Sequence, residues 1–323
     1  MVNRVLIVAV AAAGCASFED PDIVIDLRVL AMDASPPNQV VDIDLTQPVM
    51  PAALLAQISP TVVCALVADP GLQRRLAWSM SLCPLSDDER CADGTEVALG
   101  SGVIEDPETS AAEPRLCATV LPDANLFSIL YDTLLGDDLR GLGGVYYAVQ
   151  LRVGGELADR NLDQYAVKTL QVVPRIPAEV RANVNPTLTR VDVRNDQVSG
   201  SLLFGRCVND PDPRILAPSA RLQITPIEAR DVRETYVVPT LDGNVKTFTE
   251  TLTYQWMATA GGFSDGSTGG PRDISGNKAR LSTEYRAPNA SELTGPLDVS
   301  IWLVQRDERL GVKWFELCLR IVP

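Results

Sequence analysis

The sequence predicts an all-β protein made of two antiparallel β-sandwich domains, with one short helix at about residues 124–135 inserted in the first domain. Three observations predict this. Short runs rich in β-branched residues recur along the chain, and many of them alternate apolar with polar side chains. The chain holds 23 prolines and 22 glycines, which punctuate those runs. Aromatic residues make up only 5% of the chain. After removal of a 14-residue leader, 309 residues would remain, which is long enough to form two hydrophobic cores.

The first domain, residues 23–175, begins with a β-rich run that stops at Ser35-Pro36-Pro37. The strand at 61–68 is almost continuously apolar, as expected for a strand buried on both faces, and a turn at Asp69-Pro70-Gly71 follows it. The predicted strands of this domain are 23–30, 40–45, 61–68, 76–83, 97–104, 115–121, 145–153 and 166–173.

Trp78 lies inside the fourth of these runs. It resembles the buried strand-C tryptophan of immunoglobulin-like sandwiches, and this resemblance implies the immunoglobulin or fibronectin III type for both domains. Trp256 takes the same role in the second domain.

The inserted helix has a clear start and stop. Asp123 can cap its N-terminus and Gly136 can end it. Its apolar side chains recur at helical spacing: Leu126, Phe127, Leu130, Tyr131 and Leu134. This stripe either covers an open edge or end of the first sandwich or docks a partner; the covering interpretation is favoured.

Residues 176–186 are predicted as the linker, inside a stretch at 174–187 that holds three prolines. A short linker stiffened by proline suggests two modules at a semi-fixed angle. The second domain, residues 187–323, repeats the β pattern, with strands predicted at 187–193, 220–225, 236–238, 248–256, 297–305 and 313–322. Asp242-Gly243-Asn244 gives a hairpin signal inside this domain.

The N-terminus carries a targeting signal. Arg4, an apolar run from Val5 to Ala13 and small residues before Cys15 are typical of a secretory leader, and the run is far shorter than the roughly 20 residues that span a bilayer. Ala12-Ala13-Gly14-Cys15 resembles a bacterial lipobox. The resemblance implies a signal peptide at 1–14, acylation of Cys15 and a tether at 15–22. The alternative is a plain secretory peptide cleaved near Ala16, which leaves a soluble protein.

Because Ala16 is not Asp, the lipoprotein resemblance implies the outer membrane rather than retention at the inner membrane. The run from Trp302 to Trp314, together with Arg28-Val29-Leu30 before Pro36-Pro37, is similar to tandem sandwich lipoproteins of myxobacteria. That family has no established activity, so the likeness implies a cellular location and a domain architecture.

The composition excludes several classes of partner and of catalytic site. The formal charge of −14 argues against nucleic acid as a partner and against binding to anionic lipid headgroups. The chain has no histidine, which excludes a His-dependent triad, a His-ligated metal and an imidazole switch. No cofactor and no metal site is predicted.

Beyond Cys15, six cysteines remain, and an even number in an exported protein predicts three disulfides. Sequence does not fix their connectivity. The expected pairs are Cys83–Cys91, Cys64–Cys117 and Cys207–Cys318. Cys318 alternates with Glu316 and Arg320, which suggests the outer face of its strand.

The candidate binding loop is the glycine-rich segment 261–278, longer than a connector needs to be. Phe263 is either an exposed anchor or tucked over the end of the sandwich. Asp265, Asp273 and Asn277 offer oxygen atoms that suit calcium, although their spacing matches no EF-hand; structural roles are favoured.

The remaining candidates are carboxylates and tryptophans. Asp87, Asp88 and Glu89 lie together, as do Asp210 and Asp212, but adjacent loop acids are more often solvated turn residues than a glycosidase pair. Trp302 and Trp314 could stack on sugars or belong to the core, and core is favoured.

The sequence therefore predicts a membrane-anchored envelope lipoprotein that is not an enzyme and has a binding, adhesion or structural role. Its expected partners are the membrane, through lipid on Cys15, and envelope proteins. The alternative is a secreted or anchored carbohydrate-active hydrolase.

Overall fold

The structure is a computed structural model that describes residues 20–44, 46–48, 50–70, 75–85, 91, 95–104, 115–139, 141–155, 163–240 and 243–323. The predicted signal peptide, Cys15 and the first part of the tether lie outside these residues, and so do Asp87, Asp88 and Glu89. No helix in the described ranges is long and apolar enough to cross a membrane.

The first domain is a sandwich of two sheets, ordered β1-β3-β6 and β2-β8-β7-β4-β5. Its strands are β1 (Arg28–Ser35), β2 (Asn38–Val41), β3 (Thr61–Ala68), β4 (Leu76–Pro84), β5 (Val97–Ile104), β6 (Arg115–Val120), β7 (Val145–Gly155) and β8 (Gln164–Pro174). All neighbours are antiparallel except β2 and β8, which pair in parallel. This order is that of an immunoglobulin-like sandwich and confirms the predicted fold class.

Among the described residues of the first domain are two α-helices, which contact each other. The helix α1 (Pro51–Leu55) was not predicted from sequence; its proline is tolerated because it lies at the start of the helix. The helix α2 (Ala124–Leu135) has the predicted bounds, with the Asp123 carboxylate accepting from two backbone N–H groups. Its buried face covers the sandwich core, while Tyr131 is half exposed.

The second domain has sheets ordered β10-β9-β12-β18-β16 and β11-β20-β19-β15-β17. Its strands are β9 (Leu188–Arg194), β10 (Ser199–Leu202), β11 (Arg214–Leu216), β12 (Arg221–Glu228), β13 (Thr235–Pro239), β14 (Val245–Thr249), β15 (Leu252–Ala258), β16 (Gly262–Phe263), β17 (Ser267–Gly269), β18 (Thr283–Arg286), β19 (Leu297–Asp307) and β20 (Val312–Ile321). The strands β13 and β14 form a separate hairpin. The edge strand β11 pairs in parallel with the final strand, as β2 does in the first domain.

The strand predicted at 248–256 is broken in the structure. Phe248 ends on the separate hairpin and is 43% exposed, whereas Leu252 and Trp256 are fully buried in the sandwich core. The break falls at Glu250. In a continuous strand its side chain would face the same side as Phe248 and Leu252, and a charged group cannot enter the apolar core unpaired.

The predicted first strand, 23–30, is also misplaced. Regular pairing with β3 starts at Arg28, and the preceding segment leaves the first domain. Ile23 bridges to Ala258 of the second domain, and Val24, which is fully buried, donates its N–H to the Ala258 carbonyl oxygen at 2.8 Å. The Asp22 carbonyl oxygen accepts from the Ala258 N–H at 2.9 Å, so the end of the predicted tether is also fastened to the second domain.

The two domains pack side by side through a buried apolar layer. The outer face of β1 and β3 contributes Leu30, Ala31, Leu66 and Ala68, and the outer face of β15, β19 and β20 contributes Met257, Trp302, Val304, Val312 and Trp314. Because β19 is buried on both faces, its sequence Ile301-Trp302-Leu303-Val304 is a continuous apolar run. The interpretation of Trp302 and Trp314 as buried is confirmed, but they fill the layer between the domains rather than a sandwich core.

A polar junction fastens the same interface beside the predicted linker. Asn183 is buried, and its amide donates to the Asp307 carboxylate and to the Arg309 carbonyl oxygen in the turn between β19 and β20. Asn185 donates to the Ala34 carbonyl oxygen of β1 at 2.7 Å and accepts from the Val312 N–H at 3.0 Å. Lys168 of β8 donates to the Leu310 carbonyl oxygen. The polar contacts thus hold the domains together.

The three disulfides join the pairs expected from the sequence: Cys64–Cys117, Cys83–Cys91 and Cys207–Cys318. Cys318 lies on the outer face of β20, as its alternation suggested, yet it is 2% exposed because the 3₁₀ turn Cys207–Asn209 covers it.

Candidate functional site

The candidate site is a cleft between the two domains, at the end of the interface away from the linker. Its volume is about 540 Å³, within the range of small-molecule sites. The end of β3 forms one wall through residues 66–70, the segment 206–208 forms another, and Trp302 and Ser300 of β19 form the floor. Neither domain alone could enclose it.

The floor of the cleft follows from strand alternation. Side chains of β19 at odd positions, such as Val299 and Ile301, enter the sandwich core, so Ser300 and Trp302 face outward. Trp302 is 7% exposed, because most of its ring lies in the apolar layer between the domains. The cleft therefore has an aromatic base held in place by packing on the first domain.

Charged groups line the cleft on both sides. Arg206 and Glu316 approach each other at 4.0 Å between Nε and Oε2, and both side chains are about 15% exposed. Asp298 accepts two hydrogen bonds from Arg320, at 2.6 and 2.8 Å, and its pKa is lowered mainly by that guanidinium. Asp69 is 2% exposed at the end of β3. The site combines carboxylates, one guanidinium and an aromatic ring.

The wall at 206–208 is fixed by covalent and backbone contacts. Cys207 is bonded to Cys318 of β20, and Gly205 donates its N–H to the Glu316 carbonyl oxygen at 2.8 Å. Val208 of this wall is 62% exposed, and Ile25, which also lines the cleft, is 45% exposed. The disulfide thus holds a site wall as well as closing a long loop.

The predicted binding loop at 261–278 is partly regular structure. The strand β16 pairs with β18 in one sheet, and β17 pairs with β15 in the other, so the segment crosses from one sheet to the other. Gly261 permits this crossing: it has φ +87°, and a Cβ there would lie 2.5 Å from the Tyr285 hydroxyl. The prediction of one long irregular loop is wrong because glycines here serve the sheet crossing.

Phe263 is tucked inward rather than exposed as an anchor. Its ring centroid lies 5.4 Å from that of Tyr285 and 6.2 Å from that of Trp256. It packs against the core of the second domain and lines a small depression.

The other three loop candidates do not gather around Phe263. The Asp273 carboxylate accepts from the N–H groups of Ser275 and Asn277 and from the Asn277 amide, which closes a local turn and lowers its pKa. Asp265 is exposed, accepts from the Ser264 hydroxyl and lies 3.8 Å from Arg280. In the described part of the chain, no three His, Cys, Asp or Glu side chains form a group that could hold a metal.

The loop carboxylates Asp210 and Asp212 belong to a turn, where the Asp212 N–H donates to Asp210 at 3.0 Å. Sequence reasoning missed the actual cleft, whose walls come from β3 and from 206–208, far apart in the chain. The sequence signal that could have found it is the continuous apolar run at 301–304. Such a run places apolar side chains on both faces of β19, which indicates that another element covers its outer face.

Comparisons with known proteins add little to this geometry. No protein-family model matches the sequence, and no curated protein matches it significantly. Among solved structures, the chain is similar to murine CEACAM1b, with 10% identity, coverage of 92% of this chain and 100% of that chain, and a TM-score of 0.21. It is also similar to the two tandem V-type regions of VCBP3, a v-region-containing chitin binding protein, with 9% identity, the same coverages and a TM-score of 0.23. At these TM-scores the likeness carries no argument about function.

Proposed function

We propose that this protein is a non-catalytic binding protein of the cell envelope, which holds its ligand in the cleft between its two sandwiches. The observation that carries the proposal is the construction of that cleft: both domains supply its walls, and a buried apolar layer fixes their spacing. A preformed site of this kind avoids much of the ordering cost of binding.

The chemistry of the cleft fits recognition. The edge of the Trp302 ring offers apolar surface at the floor, and the partly exposed Arg206 and Glu316 side chains offer charged groups for orienting a ligand. The −14 charge of the chain favours neutral or cationic ligands over anionic ones.

The proposed location in the cell envelope rests on the N-terminal sequence pattern. We place the protein at the outer membrane through lipid on Cys15, where two or more acyl chains give durable attachment. The intact mass of protein purified from membranes tests this directly. We expect the mass of residues 15–323 plus acyl groups; a lipid-free mass starting at Ala16 or later would contradict the anchor.

The binding role is tested by photo-crosslinking in intact envelopes. A photoreactive amino acid at Val208, on the cleft rim, should give a discrete crosslinked product. The matched control places the same group at Ile274, which is fully exposed and remote in sequence from the cleft walls. A second variant, Ser300→Trp, fills the cleft floor and should abolish the product at Val208.

Two results would contradict the proposal. One is an identical product from Val208 and Ile274, or one from Val208 that survives Ser300→Trp. The other is turnover of an envelope polysaccharide by the purified protein that is lost in Glu316→Gln, because that result would establish the hydrolase alternative.

A further inference from the structure

The hairpin of β13 and β14 stands apart from both sheets of its domain. All five residues of β14 are exposed, including Val245 at 46% and Phe248 at 43%. An isolated two-stranded hairpin is marginally stable in water, so something must hold this one in shape. Exposed apolar side chains on such an element indicate an interaction surface.

Contacts at its base hold the hairpin in one orientation. The Tyr236 hydroxyl donates to Glu308 at 2.7 Å, and the Arg309 guanidinium lies 4.9 Å from the centre of the Tyr236 ring. Glu250 donates its N–H to the Glu234 carbonyl oxygen at 2.9 Å. The hairpin is therefore presented to solvent in a defined direction.

The register shows which backbone groups point outward. The pairs 240/244 and 234/250, which flank the ladder, each carry a backbone hydrogen bond. Antiparallel pairs alternate between bonded and non-bonded, so 236/248 and 238/246 are the bonded pairs of the hairpin. The N–H and C=O groups of Val245, Thr247 and Thr249 consequently face away from β13. Among the described residues, no strand other than β13 pairs with β14.

The opposite edge of the hairpin is less suited to pairing, because Pro239 occupies an outward position of β13 and has no N–H. The edge of β14 instead has both an N–H and a C=O group at each of its three outward positions, Val245, Thr247 and Thr249. This makes β14 the edge on which another strand could add.

The sequence of β14 is self-complementary at that edge. If two copies meet antiparallel about a twofold axis at Thr247, Thr247 faces its own copy and Val245 faces Thr249. Lys246 then lies opposite Phe248, which avoids like charges and lets the cation approach an aromatic ring. The whole stretch 235–249 has one Asp and one Lys, so it is neutral in a chain of charge −14. Two copies can approach here with little repulsion.

We propose that a second copy of this chain binds along β14, giving a continuous four-stranded sheet β13-β14-β14-β13 across a twofold axis. The contact is small, so the dimer should form at high local concentration, such as that of protein confined to a surface. It is independent of the cleft.

Cysteine crosslinking of the full chain tests the register, in a Cys15→Ser background that leaves no other unpaired thiol. Bonded antiparallel partners lie about 5.5 Å apart between Cα atoms, a spacing that a disulfide accepts. Thr247→Cys should therefore give a covalent dimer on mild oxidation. Val245→Cys, whose partner is Thr249, and Val237→Cys, on the opposite edge, should give none. Equal crosslinking of all three variants, or none from Thr247→Cys, would overturn the proposal.

Sedimentation velocity supplies a second measurement that needs no new thiol. The parent chain should associate as its concentration rises from micromolar to millimolar. Thr247→Pro removes an outward N–H that the hairpin itself does not use, and it should leave the chain monomeric at every concentration. A parent chain that stays monomeric, or a proline variant that associates equally, would contradict pairing along β14.

Discussion

Trp78 of β4 and Trp256 of β15 occupy the fourth strand of two five-stranded sheets of corresponding order, β2-β8-β7-β4-β5 and β11-β20-β19-β15-β17, yet their surroundings differ. Trp256 is fully buried, and its indole N–H donates to Thr268 at 3.0 Å in the segment that crosses between the sheets. Trp78 is part exposed and lies against β5, where Gly102 leaves room for its ring. One sequence signal, a tryptophan in the central strand, thus gives two degrees of burial, set by what covers it.

The outer faces differ as well. The first domain uses the outer face of its three-stranded sheet for the interface, and the second uses the outer face of its β11-β20-β19-β15-β17 sheet. Two similar sandwiches therefore meet asymmetrically, which leaves the cleft at one end and the polar junction at the other.

The disulfides should contribute unequally. Cys207–Cys318 spans 111 residues and holds a cleft wall, whereas Cys83–Cys91 spans 8 residues. On loop-closure entropy, replacing the first pair with serine should cost about 4–5 kcal/mol and the second about 2–3 kcal/mol. Urea unfolding of the two double variants measures both values. Equal losses would contradict the chain-entropy account.

The two tryptophans give the next largest contrast. Trp256→Ala should lower the free energy of unfolding by about 3–5 kcal/mol, because it leaves a cavity in the core and removes the hydrogen bond from the indole N–H to Thr268. Trp78→Ala should cost about 1–2 kcal/mol, since its ring already meets solvent on one side. Guanidinium unfolding of each variant measures both values. A larger loss of unfolding free energy in Trp78→Ala than in Trp256→Ala would contradict the assigned difference in burial.

Each domain also brings one buried titrating group to the junction. Burial, and then the charge of Asp307, raise the pKa of Glu250 to about 7. A carboxyl with a raised folded pKa binds its proton more tightly when folded, so stability falls as the pH rises from about 4.5 through 7. We expect a loss of about 2 kcal/mol between pH 5 and 8, and Glu250→Gln should remove that dependence.

Lys168, from the first domain, titrates in the opposite sense. Burial lowers its pKa to about 8, so the unfolded chain binds more protons above that pH. Stability should therefore gain from this group as the pH rises from about 8 toward 10.5, and Lys168→Met should flatten that part of the curve. Chemical unfolding across pH 5–10 separates the two groups, and parallel curves for the parent and both variants would contradict these assignments.

The smallest effect belongs to the surface pair of Asp298 and Arg320. Both side chains are about 40% exposed, so Arg320→Ala should lower the free energy of unfolding by less than Trp78→Ala does, and by less still at high salt, despite the bidentate geometry of the pair. Urea unfolding at two salt concentrations measures it. A loss as large as that of Trp78→Ala would mean that the pair also supports the cleft.

Much of the fold was accessible from the sequence. Period-two runs located most strands, and the Asp123 cap and Gly136 located α2 within its observed bounds. Misplaced boundaries have physical causes. Glu250 breaks an alternating run by requiring charged partners, and residues 23–24 leave their predicted strand because the second domain offers a free backbone at Ala258.

The site was less accessible, because local patterns do not state which face of which sheet another domain will cover. Phe263, Asp273 and Asn277 attracted attention through a glycine-rich stretch, but Phe263 packs against the core of the second domain, and Asp273 and Asn277 bond to each other within one turn. Trp302 was recognised as buried, but its place at a cleft floor depends on residues 66–70 and 206–208, which meet it through long-range packing.

The central claim is that the apolar layer between the domains makes them one unit with a fixed cleft. Urea unfolding of the full chain, followed by tryptophan fluorescence and by far-ultraviolet circular dichroism, tests it most directly. We predict one coincident transition by both probes, which Trp302→Ala or Leu66→Asp splits into two. Two separate transitions in the parent chain would contradict the claim, because they would show that each sandwich unfolds without regard to the other.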